Sequence, residues 1–343
     1  MTLKLKDIAE KLNISQATVS LALNDRPGVS QETKEKVLKA TEEMGYNVNV
    51  LSKTSSRIQK SIRFVIYKKH GYVVSDTPFF SALIEGIDQE ARDNGYNLVI
   101  TYLKEKENKT EIKKLVKEDP LGGVIILATE MNIQDLKIFD KLPVPVVILD
   151  SFFGDAKYDT VVINNVQGSY QGTKYLVDRG HTEIGYLCSS VFINNFKERK
   201  DGFLKALEDN KIDWNQEFVF HLEPTLDGAY RDMIHILESN PTLPTAFFSD
   251  NDIIAFGAMK ALKEKGIKIP EDISVVGFDD MPFSGIIDPT LTTIKVYKQS
   301  MGRLAVKRLI ERIEGDCEAF IKVEVNTELV ERKSVMKKNN HAS

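Results

Sequence analysis

Apolar residues recur along this chain in two rhythms, and the change between them near residue 60 divides it. Before that point short helical faces dominate. Ile8, Ala9 and Leu12 share one face of a helix predicted over 6–13. Asn13 and Ile14 interrupt it, Ser15 is a good N-cap, and Val19, Ala22 and Leu23 make the stripe of a second helix over 16–23. A third is predicted from Ser30 as cap through Met44, with Val37, Leu38, Thr41 and Met44 inward and Gly45 as its stop. Two short helices joined by a tight turn and followed by a third follow the helix-turn-helix plan.

After residue 60 the rhythm changes. Strand-like apolar runs are predicted at 62–67, 97–103, 123–127, 144–149, 160–163, 184–188, 217–222, 245–249, 273–278 and 292–296. Amphipathic helices are predicted between them at 79–94, 109–118, 132–140, 166–179, 196–209, 227–239, 251–265 and 298–314. Such alternation implies parallel sheets covered on both faces. About ten strands are too many for one small open sheet, so two lobes are expected. Ligands of these folds bind beyond the carboxyl ends of strands, which makes strand-end residues the candidates.

Composition narrows the class. The 343 residues, 42% hydrophobic and 28% charged, suit two or three ordinary globular domains. The opening residues carry charges every few positions and no apolar signal core, and no run approaches ~18 apolar residues, so a cytoplasmic protein without a membrane span is expected. Two cysteines, Cys188 and Cys317, stand far apart; neither a disulfide nor a metal site is expected, and no cofactor. The net charge of −4 is unevenly spread. Residues 1–60 hold ten Lys and Arg against seven Asp and Glu, and the remainder 36 against 43. A mildly basic head on an acidic body suits a protein that meets DNA at one end.

Catalysis finds little support. Adjacent carboxylates at Asp279 and Asp280 diverge from a strand end, and no motif places a partner acid beside them or Asp150. His70, His181, His221, His235 and His341 show no metal spacing, and His181 reads as a turn residue. No Gly-rich phosphate loop follows a strand. The exposed side of the second helix is more telling. Gln16, Ala17, Thr18, Ser20 and Leu21 are small or neutral where a solvated face favours Lys and Glu. Gln can pair with adenine and Ala can meet a thymine methyl, while Thr18, Ser20 and Ser30 can donate to phosphates.

The string Ile14-Ser15-x-x-Thr18-Val19-Ser20-x-x-Leu23-Asn24, then Val29-Ser30-x-x-Thr33 and Gly45-Tyr46, resembles the head of the LacI/GalR family of bacterial repressors. That resemblance implies a second helix in the major groove, with Gln16, Ala17 and Leu21 reading bases. Leu21 stands where many relatives carry Arg. Lys6, Ser15, Thr18, Ser20, Asn24, Ser30 and Thr33 complete the implied DNA contacts. The linker departs from the pattern: Val48, Ser52, Lys53 and Ser55 replace the Pro, Ala, Arg and Leu of a hinge helix. Either it stays a flexible tether, or Leu51 supplies an out-of-register minor-groove wedge.

The resemblance continues through Pro78-Phe79-Phe80, Gly180-His181, Arg199-x-x-Gly202-Phe203, Asp252-x-x-Ala255-x-Gly257 and the run from Pro270 to Asp280. It implies a periplasmic-binding-protein-like α/β core of two parallel-sheet lobes. The implied order is a head at 1–47, a hinge at 48–60, a core at 61–335 and a tail at 336–343. The first lobe is expected over about 61–160 and 292–325, the second over about 161–291 and 326–335. The matching cleft positions are Phe79, Phe80, Asp150, Arg199, Asn251 and Asp279, chemistry suited to a polyol such as a sugar. Adjacent rings at 79 and 80 are not both expected inward, Arg199 is expected to open a helix, and Asp280 is expected to cap. The implied activity is repression of operator DNA, controlled by a small effector or by a co-repressor protein. A homodimer is expected, because one head reads half an operator and the tail lacks a leucine heptad.

Overall fold

A computed structural model describes residues 5–23, 28–43, 61–74, 78–105, 121–140, 142–154, 156–315 and 318–338. Two units pack separately, Met1–Lys60 and Ser61–Ser343. In the first, α1 (Leu5–Leu12), α2 (Gln16–Leu23) and α3 (Gln31–Glu43) enclose a small core of Ile8, Ala9, Val19, Ala22 and Val37. Asn13 makes the turn between α1 and α2 at φ +52°, a conformation Asn tolerates well. Thr41 is buried as expected, but Leu38 is 42% exposed and Ala40 takes the inward place. The third helix points a different flank at the core than its largest side chain suggests. Met44, Gly45 and the hinge lie outside the described residues.

The second unit holds two six-stranded sheets. Strands β1 (Ser61–Lys68), β2 (Asn97–Lys104), β3 (Leu121–Leu127), β4 (Val146–Leu149), β5 (Asp159–Ile163) and β11 (Lys322–Val325) form the first, in the order β11-β5-β4-β3-β1-β2, all parallel. The second comprises β6 (Ile184–Ser189), β7 (Val219–Leu222), β8 (Ala246–Ser249), β9 (Ser274–Asp279), β10 (Thr292–Lys295) and β12 (Glu328–Val330), ordered β12-β10-β9-β8-β6-β7. Only β12 runs antiparallel among these. The central strands are buried throughout, as sheets covered on both faces require.

Helices α4 (Pro78–Asp93), α5 (Ile133–Leu136), α6 (Asn165–Asp178), α7 (Asn194–Asp209), α8 (Leu226–Glu238), α9 (Asp252–Glu264) and α10 (Lys298–Glu314) connect the strands. The helix expected at 132–140 is a single turn, started by a capping box between Asn132 and Asp135. The one expected at 109–118 lies outside the described residues. At 217–222 the strand starts only at Val219, after a 3-10 turn at Gln216–Phe218. Strands β11 and β12 escaped the sequence reading because each is short and half exposed.

The lobe boundaries need correction at two strands. Asp159–Ile163 lies wholly in the first sheet, and Thr292–Lys295 pairs with β9 and β12 in the second. The chain therefore crosses between lobes after β5, after β10 and after β11. Two crossings are tied together: Asn164 Nδ2 donates to Asn326 Oδ1 at 3.0 Å. Three separate crossings make a hinge of the kind used in domain closure. The tail residue Lys338 stays attached, its N–H donating to Arg179 O at 2.8 Å.

Candidate functional site

The described predicted residues of the head lie on α1, on and before α2, and at the start of α3. Ser15 Oγ accepts the Thr18 N–H at 3.0 Å, an N-cap that starts the helix. Ser30 does the same for Thr33 at 3.3 Å, starting α3. These hydroxyls serve as caps, which fixes the N-terminal turn of α2 where Gln16 lies exposed. Leu21 is half-buried one turn further on. Ala17 and Ser20 lie on the backbone of α2 and Lys6 on that of α1, their side chains outside the described set; Asn24 and Leu51 lie outside the described residues altogether.

In the second unit all six predicted cleft residues meet. A cavity of about 210 Å³ is lined by Phe79, Phe80, Asp150, Arg199, Asn251 and Asp279. They come from the carboxyl ends of β4, β8 and β9, the first turn of α4 and the second turn of α7, where the βα plan places ligands. Both phenyl rings are buried and both line the cavity, packed edge to face at 5.1 Å. The expectation that only one could turn inward fails because core and cavity adjoin there. Arg199 does not open its helix: α7 begins at Asn194, so Arg199 lies in the second turn, away from the positive helix end.

Arg199 is the hub. Its Nε donates to Asn165 Oδ1 at 2.9 Å, Nη1 to Asp250 O at 2.5 Å and Nη2 to Asp279 Oδ1 at 3.2 Å. Its guanidinium lies 3.8 Å from the centre of the Phe278 ring. Asp150 and Asp279 end their strands with φ of +68° and +113°, left-handed conformations that cost a non-glycine residue energy. Asn251 caps α9, its Oδ1 accepting from Ile254 N at 2.9 Å, which leaves its NH2 as the group to offer a ligand. Asp280 does not cap; it pairs with Arg332 at 2.7 Å. His181 bridges Thr245 at 3.0 Å and Met336 O at 3.3 Å, the turn role expected of it.

The sequence reading missed Thr129, Asn195 and Lys298. Thr129 Oγ1 donates to Asp150 Oδ2 at 2.6 Å, and Asn195 Nδ2 reaches across from the second lobe to Asp150 Oδ1 at 3.0 Å. Asn194 makes a parallel link to Ser151 Oγ at 3.2 Å. The pair of amides opening α7 was a visible signal. Lys298 is buried, and its ammonium donates to the main-chain oxygen of Asp279. No local pattern marks that lysine.

Burial dominates the electrostatics. It pushes Asp150 and Asp250 up to about 6 and Asp252 up to about 7, and it raises Asp279 against the pull of Arg199 and Lys298. Burial also lowers the Lys298 ammonium. Of these acids only Asp150 and Asp279 line the cavity, beside Arg199, whereas Asp250 accepts from Tyr186 and Ser189 and Asp252 from Thr293, Met281 and Ser284. Among the described residues no cluster of His, Cys, Asp and Glu could hold a metal, and no helix is long and apolar enough to cross a membrane.

Comparison with known proteins agrees with both units. Residues 4–49 match the family described as bacterial regulatory proteins, lacI family, and residues 173–335 match the periplasmic binding protein-like domain. The HTH-type transcriptional repressor PurR of Mannheimia succiniciproducens is 34% identical over 342 residues, 97% of this chain and 98% of that protein. The lac repressor dimer bound to operator and the anti-inducer ONPF is 26% identical with a TM-score of 0.69, covering 98% of this chain and 100% of its own. The transcriptional regulator CelR–cellobiose complex shares the fold at 23% identity and a TM-score of 0.70, over 97% and 100% of the two chains. With a helix-turn-helix head, a two-lobed α/β body and full-length relatives of this kind, the chain belongs to the lacI family of bacterial regulatory proteins and is a DNA-binding transcriptional repressor, not an enzyme.

Proposed function

We propose that a neutral polyhydroxylated molecule, a sugar or sugar derivative, binds the cavity and sets the affinity of this repressor for its operator. Two carboxylates and one guanidinium on the cavity wall, Asp150 and Asp279 with Arg199, carry the reading. Asp150 and Asp279 face hydroxyl donors with spare lone pairs, Arg199 and Asn251 supply donors, and Phe79 and Phe80 cover the apolar face of a ring. A phosphate would add negative charge beside Asp150 and Asp279 and is disfavoured.

Ligand and head communicate through the lobes. Asn195 ties Asp150 across the cleft, so a ligand competing for that carboxylate changes the preferred angle between lobes. The protein acts in the cytoplasm as a homodimer on a near-palindromic operator, with Gln16, Ala17 and Leu21 reading bases and the phosphates held around Ser15, Thr18, Ser20, Ser30 and Thr33.

Thermal-shift screening of the repressor against pentoses, hexoses, disaccharides, sugar phosphates and nucleobases tests the ligand class. Saturable stabilisation by a neutral sugar is expected, weakened about tenfold in Asn251→Ala, which removes an NH2 donor from the cavity wall, with operator affinity changing on its addition. Stabilisation by phosphates or nucleobases alone overturns the sugar reading, and no stabilisation by any compound overturns the small effector. Sedimentation is expected to show a dimer; a stable tetramer overturns it.

A further inference from the structure

The two residues that follow β3 and Ala128 serve different partners. Thr129 holds Asp150 in the cleft, and Glu130, its side chain wholly inaccessible, is wrapped by the chain at 69–74. Glu130 Oε2 accepts the N–H groups of Lys69 at 2.8 Å, His70 at 3.1 Å and Gly71 at 2.9 Å. Oε1 accepts those of Val73 at 3.0 Å and Val74 at 2.8 Å. The remaining N–H of this stretch, from Tyr72, donates to His70 Nδ1 at 3.2 Å. Every main-chain donor between 69 and 74 therefore ends on the carboxylate or on the ring beside it. Gly71, at φ +76° with open space where a Cβ would stand, lets the chain curl round the acid.

Among the described residues these N–H groups meet no other acceptor, so the shape of the stretch depends on one side chain. Its ends are fixed. Lys69 Nζ binds Asp135 at 2.9 Å, and Val74 is buried in the core. Its middle carries Tyr72, 44% exposed, and Val73, both of which line the cavity with Phe79 and Phe80.

We propose that Glu130 is a positioning residue of the effector site, its carboxylate holding residues 69–74 as a strap that sets Tyr72 and Val73 against the ligand. The proposal rests on the reading that the cavity takes an effector. It adds that this rim is ordered by a buried acid and so is not a rigid part of the lobe. Glu130→Gln keeps the volume but puts an NH2 group at one of the two points where N–H donors converge, leaving that set without an acceptor.

The full-length repressor serves for the test. Hydrogen exchange at the amides of 69–71, 73 and 74 is expected to quicken roughly a hundredfold in Glu130→Gln, with β1 and β3 unchanged. Calorimetric titration with ribose and with cellobiose is expected to show about tenfold weaker binding of whichever sugar the wild type accepts. Loss of protection confined to this stretch is the readout that a general loss of stability would not give, because that would quicken β1 and β3 as well. Tyr72→Ala should weaken the same sugar while leaving the amides protected. Should Glu130→Gln fail to fold, Gly71→Ala, which strains the curl without touching the acid, is expected to give the same loss of protection. Unchanged exchange in both Glu130→Gln and Gly71→Ala overturns the strap. Lost protection with unchanged affinity overturns its role in binding. If the wild type binds neither sugar, the effector reading fails for those probes and exchange alone decides the strap.

Discussion

At the scale of single residues, the cleft is a set of acids held where water cannot stabilise their charge. Asp252 shows the consequence. Its Oδ1 accepts from the Thr293 hydroxyl at 2.5 Å, and Oδ2 accepts from Met281 N–H and the Ser284 hydroxyl, both at 2.7 Å. Burial raises its pKa to about 7, against roughly 3.9 in an unfolded chain. Between those values the folded protein holds a proton the unfolded chain has released, so stability falls as pH rises through that window. Asp150 and Asp250, raised to about 6, act in the same direction from pH ~4 to 6. The urea midpoint of the wild type should therefore be higher at pH 5 than at pH 7.5. Asp252→Asn should flatten that difference, since an amide can keep Met281 and Ser284 on its oxygen and donate to Thr293. An equal pH slope in the two proteins would refute the assignment. Thr129→Val removes the 2.6 Å donor to Asp150 and should cost roughly 1–3 kcal/mol at pH 7.5. The cost should shrink at pH 5, where Asp150 carries its own proton; chemical denaturation at both pH values checks it.

At the scale of elements, helices meet through glycine where the chain must come close. A Cβ on Gly302 of α10 would overlap Leu83 O of α4, and one on Gly86 of α4 would overlap Gln299 O of α10. These are backbone neighbours, which cannot swing aside as a side chain would. Gly302→Ala is expected to destabilise the body by roughly 1–3 kcal/mol, read as a lower melting temperature of that unit with the head transition unchanged. A neutral Gly302→Ala would mean the two helices can separate without loss. In the head, Ser15 and Ser30 start α2 and α3 through their hydroxyls. Ser15→Ala should cost about 1 kcal/mol of head stability, measured by circular dichroism. The same caps explain why these serines need no DNA to justify their presence.

At the scale of the whole molecule, three chain crossings join two lobes around one cavity, and linkage gives the whole-protein prediction. A ligand present at about a hundred times its Kd should stabilise the body by about 2.7 kcal/mol. Calorimetry should show that transition alone moving, and movement of both would place binding elsewhere. Most of this architecture was legible beforehand. Periodicity found the helical stripes of the head and nearly all strands and helices of the body, because covered strands and amphipathic helices must write their burial into the chain. Family-like strings brought Phe79, Phe80, Asp150, Arg199, Asn251 and Asp279 forward before any geometry was known, and all six line one cavity. Periodicity says nothing of which sheet a strand joins, and so Thr292–Lys295 and Asp159–Ile163 were misplaced between lobes. The chain alone determined most stretches of strand and helix and which chemistry lines the strand ends. Tertiary structure decided that Asn195 reaches Asp150 from the other lobe, that Lys298 and four acids share one buried field, and that Glu130 gathers five amides from a loop some sixty residues away. Those are contacts between residues distant in sequence, and local pattern carries no information about them until the backbone has closed.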